Sequence, residues 1–198
     1  MTVGLTGGIG SGKSTVVKVF EAMGCYAYNS DERAKELYFN ADIKTQVVAL
    51  LGELAYISDR ELNKVFIANL IFSNQELLKQ LNAIIHPAVK KDFELFKHTL
   101  PAQSIILKET ALLFEEHLNK QVDYTILVTA PLAIKIQRVM QRNNMNQADV
   151  EKRITSQWTD EQKMTLSDFI ITNDGKQAII PQVQLVLKQL EEFKKRKN

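Results

Sequence analysis

Five short runs of apolar, β-branched or aromatic residues punctuate the chain, at residues 2–6, 25–29, 104–109, 123–129 and 168–172. Stretches such as Ile126-Leu127-Val128 are apolar without alternation. That pattern predicts strands covered on both faces, and so a parallel sheet between helices. Helical periodicity fills the intervals. Between Asn29 and Ser104, Leu62, Val65, Phe66, Asn69, Leu70 and Phe72 precede Leu77, Leu78, Leu81, Ile84 and Ile85 at helical spacing. A crossover between parallel strands needs only about 30 residues. The surplus predicts a helical insertion over residues 39–100, of the kind that closes over a ligand at the mouth of an α/β sheet. Residues 138–163 read as a helix, a turn at Asn143-Asn144 and another helix, with Val150, Ile154 and Trp158 as packing positions. A final helix is expected over 176–193, with Ile179, Ile180, Val183, Val186, Leu187 and Leu190 on one side.

Composition narrows the class. At 198 residues the chain fits one domain of about 150 residues with a sizeable insertion. Twenty-five Lys and Arg against 23 Asp and Glu give a net charge of +2, too balanced for nucleic acid or an anionic membrane as the main partner. The basic run Lys194-Lys195-Arg196-Lys197 reads as a solvated helix end. A single cysteine, Cys25, excludes an intrachain disulfide and suits a reducing compartment. No apolar run reaches the ~18 residues of a membrane span, and no signal peptide is visible, so a cytoplasmic protein is expected.

The chemistry lies in Gly7-Gly8-Ile9-Gly10-Ser11-Gly12-Lys13-Ser14, which fits G-x-x-x-x-G-K-[ST] between a strand and a helix. Glycines let the backbone curl so that its N–H groups point at phosphate oxygens, and the following helix adds a favourable dipole. Lys13 would reach the β- and γ-phosphates and the Ser14 hydroxyl would ligate Mg²⁺. GTPase switches also need N-K-x-D and D-x-x-G. Asn119-Lys120-Gln121-Val122 lacks the aspartate, and D-x-x-G is absent. With no L-S-G-G-Q run either, a small-molecule kinase is favoured.

Further stretches make the resemblance specific. The segment 3–15, Asn29-Ser30-Asp31, Leu81-Asn82-Ala83-Ile84-Ile85-His86-Pro87, Ala111-Leu112-Leu113-Phe114-Glu115, the arginines from Arg138 onward and Asn173-Asp174-Gly175 occur in order. Together they resemble the dephospho-coenzyme A kinase family over about residues 2–190. The His-Pro and Leu-Leu-Phe-Glu stretches are the discriminating pair. The resemblance implies ATP-dependent, Mg²⁺-assisted phosphorylation of the ribose 3′-hydroxyl of dephospho-coenzyme A. It also implies a P-loop kinase fold with a five-stranded parallel sheet ordered 2-3-1-4-5. The nucleotide core would comprise residues 1–38 and 101–198, with a lid over 138–163 and the insertion over 39–100 binding the coenzyme.

Residue roles follow from that match. Asp31 matches the family's second aspartate, as base, Mg²⁺ organiser or both; a helix N-cap is its plain alternative. Lys13, Arg138 and Arg142 would neutralise transferred charge, the arginines at i, i+4 sharing a helix face. ATP would contact Gly8, Gly10, Ser11, Gly12, Lys13, Ser14, Thr15 and the Asn173–Gly175 loop beside the adenine. Lys35, Lys64, His86, Leu112 and Glu115, with Asp31, would meet the acceptor. His86 precedes a proline and is expected near a helix end. Ser14 and Glu109 would serve the metal, while Glu115 also reads as ordering the 112–114 loop. Arg153 and Lys163 are weaker candidates. Asn29, Lys35, Lys64 and Ala111 depart from the family pattern; lysine keeps the charge of arginine but loses its bidentate fork. A monomer or weak homo-oligomer is expected. A kinase with another acceptor, such as a nucleoside monophosphate, and a non-catalytic nucleotide-binding protein are the rivals.

Overall fold

The structure is a computed structural model that describes residues 1–72 and 74–196; Lys197 of the basic run lies outside them. It divides into two units, residues 1–29 with 102–198, and residues 30–101.

The first unit is a parallel sheet with helices. Its central strand β1 (Thr2–Thr6) is buried throughout. A turn at the phosphate loop leads into α1 (Lys13–Ala22), followed by β2 (Tyr26–Asn29). The second unit then intervenes. It holds α2 (Ser30–Leu37), α3 (Ala41–Leu51), a hairpin of β3 (Tyr56–Ser58) and β4 (Glu61–Leu62), α4 (Lys64–Phe72) and α5 (Gln75–His98). The chain returns through β5 (Ile106–Glu109), β6 (Tyr124–Thr129), α6 (Leu132–Asn143), α7 (Gln147–Thr155), α8 (Asp160–Met164), β7 (Phe169–Thr172) and α9 (Ile179–Arg196). The large sheet runs β2-β5-β1-β6-β7 and every pairing in it is parallel. Counting only its own strands, that is the expected order 2-3-1-4-5.

Strand alternation sets the core. Val3, Leu5, Leu107, Ile126, Val128 and Ile171 join Val16 and Phe20 of α1 and Val183, Val186 and Leu190 of α9 in one buried cluster. Gly4 faces the other way. A Cβ there would come within 2.9 Å of the Leu113 methyls, so the missing side chain is what seats the 111–115 stretch against the sheet. Parallel strands end together, and their C-terminal ends carry the loops where ligands of open α/β sheets bind.

The second unit is built on α5, whose start is capped by the Asn74 side chain accepting from the Leu77 N–H at 3.0 Å. Leu81 and Ile85 of α5 pack with Val47, Leu51, Ala55 and Ile67. The division falls before Ser30, so α2 groups with the insertion instead of the core, and at Pro101/Ala102 on the return. The reason is contact: α2 packs on α5 through the Arg33–Asp92 ion pair at 2.6 Å. Pro87 lies inside α5, with His86 well within the helix and exposed. The expected helix end at His86 is therefore corrected: Pro87 removes one backbone donor, but flanking turns carry the helix through. The hairpin was not expected, its strands being too short for a period-two pattern.

Candidate active site

The phosphate loop folds by its own backbone. The Ser11 N–H donates to Gly8 O at 3.1 Å, and the N–H groups of Thr15 and Val16 donate to Gly12 O at 3.0 and 3.2 Å. Gly12 caps α1 in the left-handed region at φ 92°, with no side-chain cap. The first N–H groups of a helix have no intrahelical acceptor and form an anion site. Lys13 Nζ donates to Gly7 O at 2.9 Å, arching the cation back over the loop. Ser14 and Thr15 are exposed in the first turn of α1.

Other elements clamp the loop from outside. Arg138 Nη1 donates to Gly10 O and Ser11 O, both at 3.4 Å, and Nη2 donates to Asn173 Oδ1 at 3.2 Å. Asn173 Nδ2 donates to Ser11 O at 2.9 Å. A Cβ at Gly12 would fall 2.0 Å from that nitrogen, and one at Gly10 would fall 2.5 Å from Lys135 O. Glycine is thus required at both positions by contact as well as by φ.

The expected site residues fall into groups. Gly8, Gly10, Ser11, Gly12, Lys13, Arg138 and Asn173 are brought together at the loop. The side-chain amide of Asn173 is engaged by Ser11 and Arg138. Gly175 is exposed at φ 76°. Beside it, Asp174 accepts from the N–H groups of Gln177 and Lys176 at 2.8 and 2.9 Å, and these bonds hold its carboxyl below the usual range. Arg142 does not join Arg138: one turn on, it is exposed, and its Nε donates to Asn143 Oδ1 at 3.0 Å. Glu109 is buried at the end of β5, and its Oε2 accepts from Asn29 Nδ2 at 3.1 Å. Glu115 Oε1 meets Lys163 Nζ at 2.8 Å and accepts from the Trp158 N–H at 3.1 Å. Leu112 is part-exposed on the same stretch. In the second unit, Asp31 lies exposed in the first turn of α2, Lys35 pairs with Glu32 at 2.7 Å, and Lys64 opens α4.

Several residues escaped the sequence reading. Gln157 Oε1 accepts from the Ile9 N–H at 2.9 Å, tying the segment after α7 to the phosphate loop. Asp160 pairs with Lys135 at 2.6 Å and accepts from the Thr129 hydroxyl. Lys163, named in the sequence only as a weaker candidate, is wholly buried and also donates to Ala111 O at 3.0 Å. One signal was available: Thr159 and Gln162 form a capping box, which announces a helix start at Asp160. Trp158 is not simply a packing residue. It follows the end of α7 and, 38% exposed, helps line a cavity of about 630 Å³ with Gly8, Ile9, Pro131, Lys135 and Asp160.

Comparison with known proteins agrees with this geometry. The family model described as dephospho-CoA kinase (CoaE) matches residues 1–178. The chain is similar to the dephospho-CoA kinase of Bacteroides fragilis strain YCH46, 37% identical over 182 residues that cover 91% of this chain and 88% of that one. Among solved structures, a Thermus thermophilus protein aligns with TM-score 0.83 and 28% identity, covering 97% of this chain and 96% of its own. The dephospho-CoA kinase from Campylobacter jejuni aligns with TM-score 0.65 at 21% identity, covering 100% and 98%, which speaks to the fold. A family match that spans the phosphate loop, the insertion and residues 138–163 shows that the chain belongs to the dephospho-CoA kinase family.

Proposed function

We infer that the chain transfers the γ-phosphoryl group of ATP, in line, to the ribose 3′-hydroxyl of dephospho-coenzyme A, yielding coenzyme A and ADP. Family membership supports the kinase activity and the acceptor. The phosphate loop, with Lys13 arched over it and Arg138 behind it, is the observation that carries the chemistry. Phosphoryl transfer asks a protein mainly for positioning and charge neutralisation. Loop N–H groups and Lys13 bind the phosphates, while Arg138 and Asn173 keep the loop curled.

Asp31 is assigned the base role from its match to the family's second aspartate; its carboxylate would accept the hydroxyl proton as the new O–P bond forms. Arg142, exposed at the end of α6, is assigned to the lid surface, where closure would be needed for it to meet phosphate. Oxygen donors at Ser14 and Glu109 suit Mg²⁺, a hard cation usually held by one or two side chains together with phosphates. When bound, the ion would neutralise charge on the phosphates. Among the described residues no group of three or more His, Cys, Asp or Glu side chains could hold a metal. The insertion, with Lys35, Lys64 and His86, is assigned to the coenzyme, and residues 138–163 to the lid. A monomer or weak homo-oligomer in the cytoplasm suits the single cysteine. Among the described residues no helix is long and apolar enough to cross a membrane.

The test is ADP release with Mg-ATP across an acceptor panel. Stimulation by dephospho-coenzyme A and not by nucleoside monophosphates is expected. The reverse selectivity would keep the kinase and reject the acceptor.

A further inference from the structure

One buried ion pair has no part in those roles. Lys135 Nζ lies 2.6 Å from Asp160 Oδ2, with side chains 8% and 11% exposed, and the Thr129 hydroxyl donates to the same oxygen. Lys135 ends the first turn of α6 and lies across the outer surface of the phosphate loop. Its carbonyl oxygen would be 2.5 Å from a Cβ at Gly10, and its amine 3.3 Å from a Cβ at Gly8. The cavity that both side chains line takes in Gly8 and Ile9 but none of residues 10–15, so the pair backs the loop without sharing its phosphate-binding half. Asp160 is the first residue of α8. Three residues earlier, Gln157 Oε1 accepts the Ile9 N–H. Segment 157–160 is therefore tied to the loop directly at Ile9 and, through Asp160, to Lys135, whose backbone and amine pack against Gly10 and Gly8.

Stability alone does not explain the pair. A buried ion pair is matched or bettered by well-packed apolar residues, because desolvation offsets the Coulomb attraction. An ion pair does, however, impose direction and distance. We propose that Lys135 and Asp160 are positioning residues for the transfer. Their pair, with the Gln157 tie, anchors the 157–160 end of the lid segment against the phosphate loop and thereby fixes both the curl of Gly8–Gly10 and the base from which the lid closes. Neither residue touches the reacting atoms; they act through Gly8, Ile9 and Gly10. This rests on the kinase reading above. With the pair broken, the lid seals the phosphates less well, and water competes with the acceptor for the phosphoryl group.

The experiment compares wild type with Lys135→Met, Asp160→Asn and Lys135→Met/Asp160→Leu. Measured are kcat and both KM values with dephospho-coenzyme A, and ATP hydrolysis without acceptor. Wild-type turnover tests the function first, so its failure is distinct from failure of the pair. Each single variant is expected to lose tenfold or more in kcat while the KM for dephospho-coenzyme A stays within twofold. Hydrolysis relative to transfer should rise at least tenfold. The apolar double variant should melt no lower than either single variant yet share their kcat, since removing the second partner takes away an interaction already lost. Lys135→Arg, which keeps the pair, should restore most of the turnover. Lys152→Ala, at an exposed lid pair, is the surface control and should behave as wild type. Wild-type kcat in the well-folded double variant, or an unchanged ratio of hydrolysis to transfer in the single variants, would overturn the proposal.

Discussion

The two units hold their polar groups in different ways. In the first, charged side chains are drawn inward and tied to carboxylates or backbone carbonyls: Lys163 to Glu115 and Ala111 O, Lys135 to Asp160, Arg138 to Gly10 O and Ser11 O. In the second, apart from the part-buried Arg33–Asp92 pair that packs α2 on α5, ion pairs such as Lys35–Glu32 and Lys44–Asp59 lie at the surface, and the site candidates Asp31, Lys64 and His86 are exposed. Buried charges are costly unless fully partnered, whereas exposed pairs contribute only ~0–1 kcal/mol. The phosphate-binding half is thus rigidly pre-arranged for one chemical group. The candidate side chains of the insertion are instead exposed to solvent. This comparison predicts that substitutions in the first unit act on turnover and those in the second on acceptor affinity.

The largest effect should come from Lys13→Met, which removes the cation at the loop. A loss of about 10³-fold or more in kcat is expected, with melting within a few degrees of wild type. Retained turnover would break the comparison at its strongest point. Asp31→Asn comes next and crosses the division, since it is a chemical residue on an insertion helix. A fall of ~10²–10⁴-fold in kcat, with both KM values kept, is expected of a lost base; turnover within a few-fold of wild type would leave Asp31 as a first-turn acid of α2, which begins at Ser30, so that Asp31 is not its N-cap. His86→Ala sharpens the contrast from the other side. It should raise the KM for dephospho-coenzyme A about tenfold, roughly one lost hydrogen bond to a charged group, with kcat within a few-fold. An unchanged KM would take His86 out of the site.

The smallest effect concerns titration. Burial first, and then the nearby Glu191 carboxylate, push the Cys25 thiol up to about 11. Its neutral form is favoured in the folded state, so its contribution is complete below the ordinary thiol range and is lost as pH rises towards 11. Denaturant titrations should show stability falling across that window, and Cys25→Ala should flatten the fall. Thiol alkylation at pH 8 should be slow until the chain unfolds.

Much of this was legible in the chain. The strand runs located all five strands of the large sheet, because continuous apolar segments mark strands covered on both faces. The phosphate loop was legible because only glycine fits where Asn173 Nδ2 and Lys135 O press on Gly12 and Gly10. Less visible were Lys135, Asp160 and Gln157. A lone lysine in a helix and an aspartate after an N-cap look solvated in sequence, and only the fold turns them inward. His86 misled because Pro87 is tolerated inside a long, well-packed helix. Arg138 and Arg142 share a helical spacing, but the end of α6 at Asn143 leaves the second of them in solvent.

The most direct test of the central claim is analysis of the product formed by wild-type protein from Mg-ATP and dephospho-coenzyme A, by mass and by position of the new phosphate. The account predicts one added phosphate, on the ribose 3′-oxygen, formed in step with ADP. ADP and inorganic phosphate with unchanged acceptor, or a phosphate placed elsewhere, would contradict it.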